Sequence, residues 1–211
     1  MQSELARLIS GQVFLHACMA GMRMAMPLLA LQQGFSALAV GALLALFAIT
    51  QVFFALPAGR YADRKGLKKP ILISVALAST GASLSVIWPI FPVMCLSALA
   101  TGGATGMAVI ALQRHVGRMA QTPAELKAAF SWLSIGPAVS NFLGPVLAGL
   151  LIDFAGPAPA HETGFRWAFL LMALLPLSTW FWVRRVTELP TPPAPEHAGP
   201  RRALDILAEP L

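Results

Sequence analysis

Four polar side chains stand inside long apolar stretches of the sequence, where each needs a partner or a ligand. Arg23 carries the one full charge well inside such a stretch, and a guanidinium in an apolar environment is costly unless it is paired. It could bind an anionic group of a ligand, or it could pair with backbone carbonyls or with Asp153. His16, Gln51 and Asn141 could line the same ligand cavity. The alternative for these three is hydrogen bonding between helices, which is the commoner role of such residues.

A second distinctive group is the basic run at residues 59–69, which reads GRYADRKGLKK. Its first glycine allows a helix end to approach a neighbour closely, and its second permits a turn conformation that other residues resist. The aspartate can pair with a nearby base or accept hydrogen bonds from a helix N-terminus. The alternative is a solvated basic loop that only fixes topology. The candidate residues of this run are Gly59, Asp63, Arg64, Gly66 and Lys68.

A third pattern combines glycine and proline between residues 136 and 149. Proline inside a helix removes a backbone hydrogen bond and bends the helix. Glycine lets a neighbouring helix approach closely. The pattern predicts a special packing surface, with ordinary packing of small residues as the alternative. Its members are Gly136, Pro137, Gly144, Pro145 and Gly149.

The chain that carries these residues is too apolar to be a soluble domain. Of its 211 residues, 57% are hydrophobic and 11% are charged, whereas roughly 25% are charged in a soluble domain. A small domain could not bury that much apolar surface, and a disordered chain would be far more polar. Because a helix needs about 20 apolar residues to cross a bilayer, we predict an all-α membrane protein with six transmembrane helices within residues 1–183. The apolar stretches are 8–31, 38–58, 71–88, 91–112, 130–152 and 165–183.

The basic residues indicate how the chain is oriented. Lysine and arginine cluster between spans two and three, between spans four and five, and after span six. Such clusters stay in the cytoplasm, so both termini are predicted to be cytoplasmic in an inner (plasma) membrane. The net charge of +6 is then an orientation signal, and no nucleic-acid partner is expected. Residues 184–211 are predicted to be a proline-rich cytoplasmic linker and tail.

The pattern G-x-x-x-D-R-x-G-x-K between spans two and three resembles the signature loop of the major facilitator superfamily. The resemblance covers residues 8 to about 207 and implies the N-terminal six-helix bundle of such a protein, built as an inverted repeat of three plus three helices. An Ala-Gly pair with an aspartate four residues later occurs at the exits of spans two and five, 90 residues apart. That placement fits an inverted repeat.

The resemblance also implies roles for the motifs. In this family the signature loop locks the two halves together on the cytoplasmic side, so Asp63 is expected to contact a helix of another half. Leu67 stands where the family usually has a base. The glycine–proline pattern of span five is similar to that of the family's antiporters, with Ala148 in place of a second glycine. The family's arginine motif of span four is absent from residues 96–108.

These features predict a transporter that moves small molecules across the membrane by alternating access, with efflux as one direction. A single six-helix half is expected to need a second copy, a separately encoded half or a longer chain. The competing interpretation is a truncated, non-transporting membrane protein or a partner of another membrane protein. The sequence holds no HExxH, CxxC or glycine-rich phosphate motif, so no enzyme, cofactor or metal site is expected. The expected partners are the lipid bilayer, a small-molecule substrate and the second half.

Overall fold

The computed structural model describes residues 2–155 and 160–190, and over these residues the chain is a bundle of helices. The predicted proline-rich tail lies outside the described residues from position 191 onward. The helices are α1 (Gln2–Gln32), α2 (Ala37–Lys65), α3 (Lys68–Ile87), α4 (Phe91–Met119), α5 (Pro123–Leu133), α6 (Ile135–Phe154) and α7 (Ala160–Val183).

Six segments of this described part are long and apolar enough to cross a membrane, which confirms the predicted all-α membrane bundle. The fifth segment consists of α5 and α6 together, because both fall within Pro123–Phe154. Several helices extend past the predicted apolar stretches. For example, α2 continues through the charged run to Lys65, because arginine, lysine and alanine are good helix formers.

Local signals in the sequence set where two of these helices begin. Ser36 caps α2 by accepting a hydrogen bond from the Ala39 backbone N–H, at 3.3 Å. Thr122 accepts one from the Glu125 N–H at 3.2 Å, and the Glu125 carboxylate accepts one from the Gln121 N–H at 2.9 Å. This reciprocal arrangement is a capping box. It starts α5 at Pro123, well before residue 130, where the apolar stretch of the fifth span begins.

The helix packing follows a three-plus-three pattern. The central helices α1 and α4 touch each other; α1 packs on α6 and α7, and α4 packs on α2 and α3. The first three spans are α1, α2 and α3, and the last three are α4, α5 with α6, and α7. If the two sets are exchanged in order, the pairing of α1 with α6 becomes that of α4 with α2. The pairing of α1 with α7 likewise becomes that of α4 with α3. Because three crossings separate α1 from α4, the two run in opposite directions through the membrane. The contacts therefore have the symmetry of an inverted repeat.

Two glycines make the equivalent close crossings of this repeat. A Cβ on Gly144 of α6 would overlap the Ala17 carbonyl oxygen of α1, and a Cβ on Gly102 of α4 would overlap the Phe47 carbonyl oxygen of α2. Only glycine lets the two backbones come this close. These crossings hold α6 on α1 and α2 on α4, and α2 and α6 do not touch within the described residues.

The two ends of the bundle differ in charge. We call the end that holds the junction of α2 and α3 the basic end, and the other the opposite end. The bases at this junction are Arg60, Arg64, Lys65, Lys68 and Lys69.

Candidate functional site

A polar cleft opens between α1, α2 and α6 toward the opposite end of the bundle. It has a volume of about 260 Å³ and is lined by Arg23 and Met24 of α1, Leu44 of α2 and Asn141 of α6, among others. Arg23 and Asn141 are both exposed. Within the described residues Arg23 has no ion pair, so its guanidinium is available to a ligand. Two of the four predicted cavity residues are therefore brought together.

The other two predicted residues lie elsewhere. The Gln51 amide donates a hydrogen bond to the Met19 sulfur at 3.3 Å, which links α2 to α1. His16 lines a water-sized cavity of about 10 Å³ with Gln12 and Thr179. The buried Nδ1 of His16 has no hydrogen-bond partner. Gln51 thus takes the interhelical role that was the alternative for it, and neither residue lines the Arg23 cleft.

Sequence reasoning missed a second cleft, which lies where α5 ends and α6 begins. It has a volume of about 310 Å³ and is lined by Gln12, Gln113, Ser134 and Pro137, together with apolar residues. The buried Oε1 of Gln12 has no partner in the protein. Helical spacing could have identified Gln12, because it stands four residues before His16 and eleven before Arg23. Positions separated by four, seven and eleven residues share one face of a helix.

The glycine–proline residues of span five form the contact with α1. A Cβ on Gly136 would lie 2.8 Å from the Gln12 Oε1, whereas one on Gly149 would meet only the flexible Met24 Cε, at 3.4 Å. The Ser140 hydroxyl donates to the Val13 carbonyl at 3.0 Å. The pattern therefore positions α6 tightly against the polar face of α1. Its two prolines lie on the same helix, with Pro145 in its interior and Pro137 near its start.

The predicted signature loop is mostly helical. Residues 59–65 are the last turns of α2, and only Gly66 and Leu67 separate α2 from α3. Gly66 has a φ of 75°, a conformation that favours glycine. Asp63 does not pair with Arg64 or Lys68; its carboxylate pairs with Arg114 of α4, which also donates to the Asp63 carbonyl at 3.1 Å.

The Asp63–Arg114 pair gives Asp63 a partner within this chain that is neither Arg64 nor Lys68. The two residues are 51 positions apart, and nothing in the local sequence around Asp63 indicates Arg114. The pair joins the ends of α2 and α4 across the basic end. With Asp63 occupied in this way, the side chains of the remaining bases of the run form no ion pair among the described residues.

A segment after α7 ties the basic end together. Glu188 accepts hydrogen bonds from the backbone N–H groups of Leu67, at 2.9 Å, and Lys68, at 3.3 Å. It thereby caps the N-terminus of α3, where Leu67 makes no side-chain cap. Acidic groups are favoured at this end of a helix. A Cβ at position 66 would overlap the Glu188 carboxylate, so a side chain there would displace this cap as well as strain the backbone at a positive φ.

The same segment makes three further contacts at this end. Glu4 accepts from the Thr187 N–H at 3.2 Å, Arg7 donates to the Arg185 carbonyl at 3.2 Å, and Arg118 donates to the Pro190 carbonyl. Residues 184–190 therefore contact α1 and α4 as well as α3. The sequence indicated only a basic, proline-containing linker here.

Replacing Glu188 by glutamine or alanine is expected to loosen the start of α3. An N-terminal cap contributes about 0.5–2 kcal/mol, and Glu188 is solvent-exposed, so we expect a loss near the lower end of that range. The thermal unfolding midpoint of the purified chain in detergent would measure it. Glu162→Gln is the matched control, because among the described residues Glu162 makes only an exposed pair with Arg166, at 3.5 Å, and such pairs contribute little. Equal midpoints for the two variants would contradict the capping role.

Helix α3 is also held at its other end. Arg166, at the start of span six, donates to the carbonyls of Val86, at 3.0 Å, and Ile87, at 3.4 Å. A cation is favoured at the C-terminus of a helix. Both ends of α3 are thus satisfied by residues that flank the last span.

Comparison with known proteins agrees with this architecture. Residues 8–209 match the family model of the Major Facilitator Superfamily. The chain is 32% identical over 148 residues to the class B tetracycline resistance protein of Escherichia coli, an alignment that covers 68% of this chain and 34% of that protein. It is 28% identical over 155 residues to the class H tetracycline resistance protein of Pasteurella multocida, over 70% of this chain and 36% of that protein. The chain thus spans about a third of the length of these relatives. The chain belongs to the Major Facilitator Superfamily and is a multi-pass membrane protein of a transporter family.

Proposed function

We propose that this bundle forms one half of an alternating-access transporter that exports a small organic molecule bearing an anionic oxygen group. The cleft that brings Arg23 and Asn141 together carries the proposal. The guanidinium of Arg23 is exposed to the cleft and forms no ion pair within the described residues. Such a group can make charge-assisted hydrogen bonds to a carboxylate, an enolate or a phosphate.

The polar face of α1 supports a path through the bundle. Gln12, His16, Met19 and Arg23 follow one another at helical spacing, and the clefts at Arg23 and at Gln12 lie toward its two ends. In alternating access, a central site opens to one side of the membrane at a time. The polar face of α1 provides a substrate with hydrogen-bonding groups near each of its two ends.

The exposed edges of the bundle support a second six-helix half. In the apolar stretch of 18 residues that could cross the membrane, only 17% of the residues of α2 are buried. The corresponding buried share is 28% for the fifth span and 61% for α1. On these edges Phe53 is 74% exposed and Phe142 65%. One bundle supplies one wall of the cavity, and the second wall comes from another copy, a separate chain or a further segment. In this arrangement the basic end faces the cytoplasm.

Tetracycline is the first substrate to test, because the two relatives described above are tetracycline resistance proteins. Everted membrane vesicles with and without the chain would be energised, and tetracycline uptake would be followed. Export from cells corresponds to uptake into everted vesicles, so we expect faster uptake when the chain is present. Uptake equal to that of control vesicles, in both vesicle orientations and with folded chain present, would favour the non-transporting alternative.

The source of the second half can be tested in the same membranes. Phe53→Cys and Phe142→Cys, in a Cys95→Ser background, place thiols on the two exposed edges, while Cys18 is fully buried. If a second copy completes the cavity, crosslinks between copies are expected. Their absence would reject the homodimer and leave a separate chain or a further segment as the source.

A further inference from the structure

An apolar groove lies between α2 and α3, with α4 as its floor, on a different side of the bundle from the Arg23 cleft. It has a volume of about 730 Å³. Its wall residues include Phe54 and Tyr61 of α2 and Ile73 and Leu77 of α3, and its floor includes Gly103 and Met107. The groove exists because α2 and α3 each pack on α4 and make few contacts with each other.

The walls of the groove end in bases. Lys65 stands four residues after Tyr61, and Lys69 stands four residues before Ile73. Side chains four residues apart lie on the same face of a helix. Both lysines are exposed, and neither has a carboxylate partner within residues 2–155 and 160–190. Asp63, the acid of this run, is paired with Arg114. The groove is thus apolar along its length and positively charged at its basic end.

The groove is separate from the surfaces assigned to transport. On α2 it uses the stripe that contains Thr50, Phe54 and Tyr61, whereas Leu44 lines the Arg23 cleft. Val52, on a third face of α2, is 72% exposed and remains free for a neighbouring bundle. An occupant of the groove would therefore not compete with a substrate in the Arg23 cleft.

We infer that this groove binds an anionic phospholipid, with an acyl chain along the apolar walls and the phosphate between Lys65 and Lys69. Clusters of lysine and arginine beside a membrane span attract anionic headgroups, and basic pockets between spans bind them. The phenolic hydroxyl of Tyr61 suits the boundary between chain and headgroup, because tyrosine prefers the membrane interface. The groove combines a positively charged end with a long apolar wall, and this combination favours a lipid over a small anion.

Native mass spectrometry of the delipidated chain in detergent tests this inference. Dioleoyl phosphatidylglycerol is expected to bind more tightly than dioleoyl phosphatidylcholine, which has the same chains and no net charge. Lys65→Gln and Lys69→Gln are each expected to weaken phosphatidylglycerol binding about fivefold, since each base near a membrane surface contributes about that factor. Lys127→Gln removes an exposed base from α5 and is the matched control, with no change expected.

The apolar part of the site is tested by filling it. Gly103→Leu places a side chain on the groove floor and is expected to weaken binding of both lipids at least about fivefold. Gly103→Ala is its control, because a Cβ there would lie 3.5 Å from the Thr50 Cβ, an ordinary contact. Leu77→Trp, at a side chain 39% exposed, fills the wall instead and serves if Gly103→Leu does not fold.

Three results would overturn the inference. One is equal binding of phosphatidylglycerol and phosphatidylcholine. Another is equal phosphatidylglycerol binding by the Lys65, Lys69 and Lys127 variants. The third is full competition by glycerophosphoglycerol, which carries the same phosphodiester charge without acyl chains and would indicate a phosphate site only.

Discussion

Gly144→Val is expected to abolish the folded bundle. A Cβ at this position would overlap the Ala17 carbonyl oxygen and lie 2.8 Å from the backbone nitrogen of Gly21. Both neighbours are backbone atoms of α1, so neither can move without shifting the helix that lies at the centre of the bundle. Overpacking a buried site typically costs 1–3 kcal/mol, occasionally more. We expect about 3 kcal/mol for Gly144→Ala and a larger loss for valine.

Gly149→Ala is the matched control for this prediction, because it lies on the same helix and faces the same neighbour. Its Cβ would meet only the Met24 Cε at 3.4 Å, and a methionine end can move at little cost. Size-exclusion chromatography after heating would give the unfolding midpoints. A Gly144→Ala midpoint equal to that of Gly149→Ala would show that the close crossing of α1 and α6 is not needed for the fold.

Removing the Arg23 charge is expected to slow transport at least about tenfold, on the proposal that Arg23 binds the substrate. A hydrogen bond to a charged group contributes about 1.5–3 kcal/mol, and each 1.36 kcal/mol corresponds to a factor of ten. Arg23→Gln retains a donor without the charge, whereas Arg23→Lys retains the charge without the planar fork. We therefore expect the order wild type, lysine, glutamine in initial rates of tetracycline uptake by everted vesicles.

The readout for Arg23 must separate substrate binding from folding. A binding role should raise the KM for tetracycline, while the unfolding midpoint stays close to that of the wild type because Arg23 is exposed. Lys127→Gln, which removes an exposed charge far along the chain in α5, should leave uptake unchanged. Unchanged KM and rate in both Arg23 variants would eliminate its role at the substrate.

Features that depend on residues close together in the sequence could be predicted, whereas features that depend on contacts between distant residues could not. The six spans follow from hydropathy, because a bilayer imposes the same length on every crossing. The end of α2 was harder to place, since hydropathy drops at residue 58 while the helix continues to Lys65. The start of α5 was visible in principle, because Thr122 and Glu125 form a capping box. These features all depend on neighbours within a few turns.

The site residues depend on contacts that local sequence does not encode. Arg23 and Asn141 line one cleft because α6 packs closely against α1, with Gly144 at the crossing. Asp63 finds Arg114 rather than an adjacent base, since α2 packs on α4. Glu188 was seen only as part of a linker, although it caps α3 from 120 residues away. Which of these side chains are buried, and which pair across the bundle, depends on how the helices pack and not on the local sequence.

The double attachment of α3 has a mechanical consequence. One end of the helix is held by Glu188 and the other by Arg166, so the flanks of the last span hold it at both ends. A rod held at both ends cannot slide along its neighbour, although it can turn with it. Spans three and six would then move together, while α2 stays packed on α4 and α6 stays packed on α1. Any hinge within the bundle should therefore be sought between α2 and α3, which make few contacts with each other, rather than between α3 and α7.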